Sequence, residues 1–408
     1  MRRTFAVVRF LLIIAMTFCL WPSTYGALGP FEIASSDSST VLRLQLAGQY
    51  QSVWESKDKG SDRDKALFMR ARRIRPTLTV SLPEYRASFR LHLSAAPGSL
   101  ELMDMYFNTG LTSQFQLRLG QYKIPFTRYR IQSFQRLTFV DWPVVTKYFG
   151  AERQVGLSVH NGYEKPPRFA YALGVFSGEN ARASHATGLA SAFGEEILNP
   201  SDLSGSSPRP EFHPELVCHL AFNGCDIDIR TDSDAEGGRL RYSAATSIAW
   251  DLDPVEYQDL ALRVAQEFLL KYRHGSVMGV GYVGFTDIEG SLRTRKAMTG
   301  LLLQAAYRIT LQCEISLRYA LVDIDNNLAD AALARAEAII AGTDDNAVIT
   351  QYGTAGKVLR EQEATIGFNV YLDGHSFKIQ NDLGVSRHDR RDEDRTDCLV
   401  RSQVQLAF

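Results

Sequence analysis

Apolar and polar residues alternate one for one along most of this chain, in short segments separated by turn-forming or polar stretches. Over residues 41–54, Leu42, Leu44, Leu46, Tyr50 and Trp54 share one side, while Arg43, Gln45, Gln49 and Gln51 share the other. A period of two is the spacing of a β-strand whose faces meet different surroundings. Residues 77–82 put Leu78, Val80 and Leu82 on the apolar face. After Pro83, residues 85–93 set Tyr85, Phe89 and Leu91 against Arg86, Ser88, Arg90 and His92. Residues 115–122, 169–176, 311–322, 366–372 and 377–385 repeat the scheme. In the last ten residues Val400, Val404, Leu406 and Phe408 oppose Arg401, Gln403 and Gln405. Residues 328–340 break the pattern: they are rich in alanine, lack Gly and Pro, and predict a helix.

The connections fall into two kinds. Residues 55–66, 125–152, 178–212 and 324–360 are long and polar, whereas Pro83, 110–113, 163–167 and 373–375 are short. A barrel that crosses a bilayer has long loops at one mouth and short turns at the other. The two mouths stay consistent if residues 215–223 form a strand too, as the alternation of Leu216, Cys218, Leu220 and Phe222 with Val217, His219 and Ala221 predicts. The fold class is then all-β: a transmembrane antiparallel β-barrel of about sixteen strands with both ends periplasmic. Long extracellular loops crown it, and the third, 125–152, folds inward because a lumen this wide needs a constriction to select anything. Residues 239–309 are the hardest to divide, since runs such as 301–303 are apolar without alternation.

Both ends agree with export to a membrane. Arg2, Arg3 and Arg9 precede an apolar run, 10–20, that is too short to span a bilayer and stops at Pro22. Residues 1–26 read as a signal peptide, with cleavage after Gly26 or Ala27, and 27–408 as one barrel domain. A final strand ending on an aromatic residue, Phe408, resembles the last strand of bacterial outer-membrane barrels.

Composition narrows the function further. The net charge of the chain is −1, mild enough to argue against nucleic acid as a partner. Five cysteines include no Cys-x-x-Cys pair, so neither a zinc site nor another cofactor is expected. Cys218 and Cys225 are close enough in sequence for a small loop disulfide, and Cys313 and Cys398 fall on outward phases. The eight histidines are scattered, with no Ser–His or carboxylate–His arrangement and no Gly-rich phosphate loop, so the chain does not read as an enzyme. A divalent-cation site among Asp389, Asp392, Glu393 and Asp394 is weaker than their reading as a solvated hairpin tip.

The densest motif is Leu117-Arg-Leu-Gly-Gln-Tyr-Lys-Ile-Pro-Phe126. It resembles the Gly-Gln-aromatic-Lys-x-Pro-Phe segment of the phosphate-selective porin O and P family. Arg70-Ala-Arg-Arg-Ile-Arg75, Leu102-Met-Asp-Met-Tyr-Phe107, Arg153-Gln-Val-Gly-Leu157 and Tyr171-Ala-Leu-Gly-Val-Phe176 resemble neighbouring segments of that family, over roughly residues 68–180. The resemblance implies a sixteen-stranded, trimeric, water-filled barrel in the outer-membrane lipid, with basic residues along a path for small anions such as phosphate.

The residues themselves support such a path. Arg43, Arg73, Arg75, Arg86, Arg90 and Arg118 lie on inward phases. The third loop adds Arg128, Arg130, Arg136 and Lys147 among Phe126, Tyr129, Phe134, Phe139 and Trp142. Lys123 joins the candidate set from a nominally outward phase. Rings of Arg and Lys are how anion pores are built, and the planar guanidinium donates to oxyanions in pairs. For each arginine, pairing with a carboxylate inside the lumen is the competing role. The competing function is a receptor or adhesin that uses loops 178–212 and 324–360.

Overall fold

The computed structural model describes residues 29–60, 62–96, 99–150, 153–162, 167–177, 214–252, 261–288, 293–326 and 357–408, with single positions between 329 and 342. The expected signal peptide, 1–26, and the 178–212 loop lie outside the described residues. A short strand, β1 (Phe31–Ala34), precedes sixteen long ones. These are β2 (Val41–Asp58), β3 (Arg63–Leu82), β4 (Ala87–Ala96), β5 (Ser99–Gly110), β6 (Gln116–Lys123), β7 (Arg153–His160), β8 (Phe169–Phe176) and β9 (Glu215–Gly224). They continue as β10 (Arg241–Asp251), β11 (Leu262–Tyr272), β12 (Gly275–Ile288), β13 (Arg293–Arg308), β14 (Cys313–Ile324), β15 (Val358–Asp373), β16 (Phe377–Arg390) and β17 (Arg395–Ala407). Each pairs antiparallel with the next, and β17 returns to β2, so the sixteen close into one barrel. β1 pairs with residues 41–44 of β2, beyond the end of β17.

Alternation sorts the faces as expected. Leu67, Met69, Phe89, Phe107, Leu119 and Leu157 are exposed on the outside, where lipid would cover them. Gln49, Gln51, Ser94, Asn108, Ser158 and Gln380 are buried on the inside. At the seam Gln49 donates to Gln405 at 2.7 Å and Gln51 to Gln403 at 2.8 Å. Gln403 in turn donates to Gln380 at 2.9 Å. Phe408 exchanges backbone hydrogen bonds with Leu46 and ends the wall at the rim that also carries the short β15–β16 turn. Among the described residues no helix is long and apolar enough to cross a bilayer.

Residues 124–150 enter the lumen as the described part of the third loop, carrying two short helices, α1 (Arg128–Ile131) and α2 (Val145–Phe149). Ile124, Phe126, Tyr129, Tyr148 and Phe149 pack there against inward side chains such as Leu269, Met278, Leu302 and Val322. This explains the missing alternation at 301–303. Leu302 faces the loop and is fully buried, while Leu303 faces out. A wall covered on both faces by apolar matter needs apolar residues on both.

The packing is close at Gly300. A Cβ there would lie 2.6 Å from the Phe149 ring, which itself stacks on Tyr282 at 5.0 Å. Gly300→Val should therefore cost about 1–3 kcal/mol by overpacking. Thermal melting of the purified barrel in detergent measures this, and an unchanged midpoint would contradict the seating of α2 on the wall.

Three expectations change. Residues 55–66 are not a long loop: β2 and β3 extend through them, pairing Lys57 with Asp64 and Asp58 with Arg63 above a tight turn. Cys218 and Cys225 are free rather than bridged, because Cys218 sits within β9 and Cys225 in the turn beyond its end, with extended strand of about 20 Å between them. The mixed-charge tip near 387–397 is also mostly strand, with β16 running to Arg390 and β17 starting at Arg395. In the 328–340 stretch, Ala329, Asp330, Leu333, Ala334 and Glu337 are helical; its remaining positions lie outside the described residues.

Candidate functional site

The motif at 117–126 works as the hinge of the inward loop. Gly120 has φ 130°, a conformation open to glycine, and its missing side chain lets the β5 backbone approach at Met105. Gln121 donates to the carbonyls of Leu102 and Met103 at 3.1 and 3.0 Å. Met103 is the extra residue of a bulge in β5, so Gln121 serves carbonyls that the ladder leaves over. The Tyr122 hydroxyl donates to Ser158 at 2.7 Å, and its ring packs edge-on against Tyr106 and Phe176. Lys123 ends β6 and escapes its outward phase. Its Nζ donates to the carbonyls of Arg130 and Gln132, both at 2.9 Å, and so gathers the end of α1. Phe126 is then fully buried.

From there the loop crosses the lumen, and the wall answers its backbone polar groups. Glu267 accepts from the Arg128 amide at 2.9 Å, Asp382 from Val140 at 3.2 Å and Glu363 from Val144 at 3.0 Å. Lys378 and Gln380 donate to the Leu137 carbonyl at 2.8 and 3.0 Å. Asn369 reaches Thr138 O at 2.7 Å, and Arg318 reaches Asp141 O at 2.8 Å. A loop away from bulk water must find partners for its amides and carbonyls, and inward polar side chains supply them.

The basic face lies on β3. Opposite Gln49 and Tyr50 the register slips, so that Gln49 pairs with Arg73, Tyr50 pairs with Ala71, and Arg72 is the bulged residue. A bulge puts two successive side chains on nearly one face and reverses the phase beyond it. Arg70, Arg72, Arg73 and Arg75 consequently all address the lumen. Arg70 donates to Gln51 at 3.2 Å, and Arg73 donates to Gln49 at 2.8 Å. Arg72 and Arg73 converge from the wall on Asp141 of the third loop, at 3.0 and 2.8 Å. The guanidinium groups of Arg73 and Arg75 both lie 5.5 Å from the Phe134 ring. Arg90 on β4, across from Thr79, continues the basic track toward the mouth that holds the β3–β4 turn.

The other expected residues are dispersed. Arg43 sits at the rim, 2.8 Å from Glu32 of β1. Arg86 is not on a strand but in the β3–β4 turn, exposed, with φ 46°. Arg118 is buried over the Tyr106 ring at 4.2 Å and donates to Asn108 at 3.1 Å. Arg128 is buried and bonded to Ile229 O at 3.1 Å, with Asp232 at 3.5 Å. Arg130 lies 5.0 Å from the Trp142 ring. Arg136 stands 3.9 Å from Asp228, and Lys147 stands 3.9 Å from Glu361.

Sequence reading missed Arg70, Arg72 and Asp141. A signal was there: two successive arginines in a strand cannot both face inward by strict alternation. The outward one would cost about 2–4 kcal/mol at the bilayer midplane, and a bulge avoids this.

A second element enters from the opposite mouth. Residues 225–240, between β9 and β10, turn into the lumen, and Asp232, Ser233 and Asp234 are each 1% exposed. Asp232 accepts from Gln132 of the third loop at 3.0 Å. Thr231 shares a hydrogen bond of 3.2 Å with His375 in the β15–β16 turn. Burial, reinforced by the positive charges of Lys378 and Arg136, holds the His375 imidazole well below its usual range and so neutral.

A closed antiparallel barrel of sixteen strands with an apolar outer belt is the architecture of outer-membrane porins. The outer membrane channel DcaP of Acinetobacter baumannii shares it with a TM-score of 0.56 at 12% identity, over 92% of this chain and 99% of that one. OmpF of Salmonella typhi, in complex with daunomycin, gives a TM-score of 0.51 at 10% identity, over 93% of this chain and 100% of that one. Residues 42–193 match the family model of phosphate-selective porin O and P, which extends the resemblance carried by the motifs of 68–180. Comparison with curated protein sequences gave no match.

Proposed function

We propose that this chain is an outer-membrane porin that lets small anions, phosphate-like oxyanions among them, diffuse through its lumen. The observation that carries this reading is the bulged β3, which turns Arg70, Arg72, Arg73 and Arg75 toward one lumen face, where Arg72 and Arg73 meet the Asp141 carboxylate of the third loop. Four guanidinium groups on one face concentrate positive charge where the third loop narrows the path. Successive moderate sites along β3 and Arg90 admit an anion and release it. Three such barrels, side by side in the outer membrane, are the assembly that the family resemblance supports.

Purified protein in a planar bilayer should give discrete conductance steps. In a salt gradient the reversal potential should report anion preference, and added phosphate should block part of the chloride current. Absence of steps sinks the channel, whereas cation preference sinks the arginine path and leaves the barrel standing.

A further inference from the structure

We infer that residues 225–240 are a second constriction, a periplasmic plug that fills one side of the lumen, clamps the third loop and confines solutes to the arginine-bearing wall of β3 and β4. This rests on the reading of the barrel as a diffusion pore.

The segment is far longer than its connection requires. Gly224 already pairs with Tyr242, and hairpin loops of about 2–5 residues suffice to join such strands. Two of its carboxylates, Asp232 and Asp234, are not solvated loop charges, although Asp226 and Glu236 at its ends are exposed. Asp232 is 1% exposed and receives Gln132 of the third loop, with Arg128 beside it. Asp234 is 1% exposed too, pairs with Arg241 and accepts from the His274 amide at 3.0 Å. Ser233 bridges Glu314 and Arg308. Lys271 donates to Asp228 O at 2.7 Å. These wall contacts run from β10 through the β15–β16 turn, the side of the barrel that faces β3 and β4 across the lumen. Burying an acidic segment is costly unless each charge is paired, and here the pairs tie the plug to the wall and to α1 at once. The match to the porin family ends at residue 193, before this segment begins.

The test compares the full-length protein with two variants in planar bilayers. Excising residues 226–239 leaves Cys225, Leu240 and Arg241 as the hairpin loop. Single-channel conductance should rise roughly twofold as cross-section opens, with anion preference kept. Asp232→Ala removes the clamp but keeps the chain, and should add rapid current fluctuations as the third loop loosens. An excised barrel that conducts no better than the parent overturns the plug. If the excised chain fails to form a heat-modifiable barrel, Asp232→Ala decides, and a trace as quiet as the parent's overturns the inference. A silent parent with a conducting excised variant supports the plug. Silence from parent and variants alike overturns the pore reading and this inference with it.

Discussion

Replacing Arg70 and Arg75 by glutamate should turn an anion-preferring conductance into a cation-preferring one. Both side chains address the lumen from β3, one on each side of the bulge at Arg72. The bonds to Asp141 of the third loop come from Arg72 and Arg73, while Arg75 lies against the Phe134 ring of that loop. The pair of substitutions changes the local charge by four units. At about 8 Å in water each unit acts on a passing ion with about 0.5 kcal/mol. The sum, about 2 kcal/mol, is roughly a thirtyfold change in permeability for each ion, down for anions and up for cations. The reversal potential in a salt gradient reads this directly. It should change sign at about 0.1 M salt and fade near 1 M, where the screening length falls to about 3 Å. Arg43→Glu is the matched control, because Arg43 sits at the rim beside Glu32. A double variant that keeps the parent's sign would remove β3 from the ion path.

Asp141→Ala should weaken the barrel more than any single substitution on its surface. Asp141 is the carboxylate at which Arg72 and Arg73 meet, and the Arg73 side chain is only 8% exposed. Removing one partner of a buried ion pair costs about 3–5 kcal/mol, because the remaining charge is neither solvated nor compensated. Here two cations would be left facing each other from adjacent positions. The expected result is a lower temperature for the heat-induced mobility shift on gels, together with larger and noisier conductance as the loop leaves the wall. Asp141→Asn keeps two hydrogen-bonding atoms and should fall between the parent and the alanine variant. A melting temperature for Asp141→Ala equal to the parent's would show that the loop is held elsewhere, for instance by Arg318 and Lys378.

The barrel was legible because alternation is a physical requirement of a wall between lipid and water, and it recurs in every strand where nothing else covers the inner face. The count of sixteen followed from loop lengths and from the strand at 215–223, which is β9. Legibility failed where a third environment intervened. At 301–303 the loop lies over the inner face, so the pattern there reports loop and lipid rather than water and lipid. In the site, period-two reasoning placed Arg73, Arg75 and Arg90 on inward phases, but it missed Arg70 and Arg72 because a bulge resets the phase. It also placed Arg86 on a strand, although Pro83 and the left-handed Arg86 make a turn there. Lys123 could not be assigned from phase at all: strand pairing stops at that residue, and the carbonyls of Arg130 and Gln132 decide its direction. The inward segment 225–240 left no mark in periodicity, since its burial depends on partners scattered from Arg128 to His375.

The glutamine seam has a consequence for how the protein is made. Gln49 meets a partner 356 positions away and Gln51 one 352 positions away, so the wall's last contacts are also the most distant along the chain. A barrel closed this way has high contact order and cannot complete its ring before the final strand is available. Until then β2 presents an open edge over residues 47–56, which β17 will pair, a hazard in lipid and in water alike. Neutral amide ladders suit such a late step: they do not titrate, and in an open chain they do not attract stray ions. Premature termination anywhere before β17 would therefore yield an unclosed sheet with no partial function, not a shorter working pore.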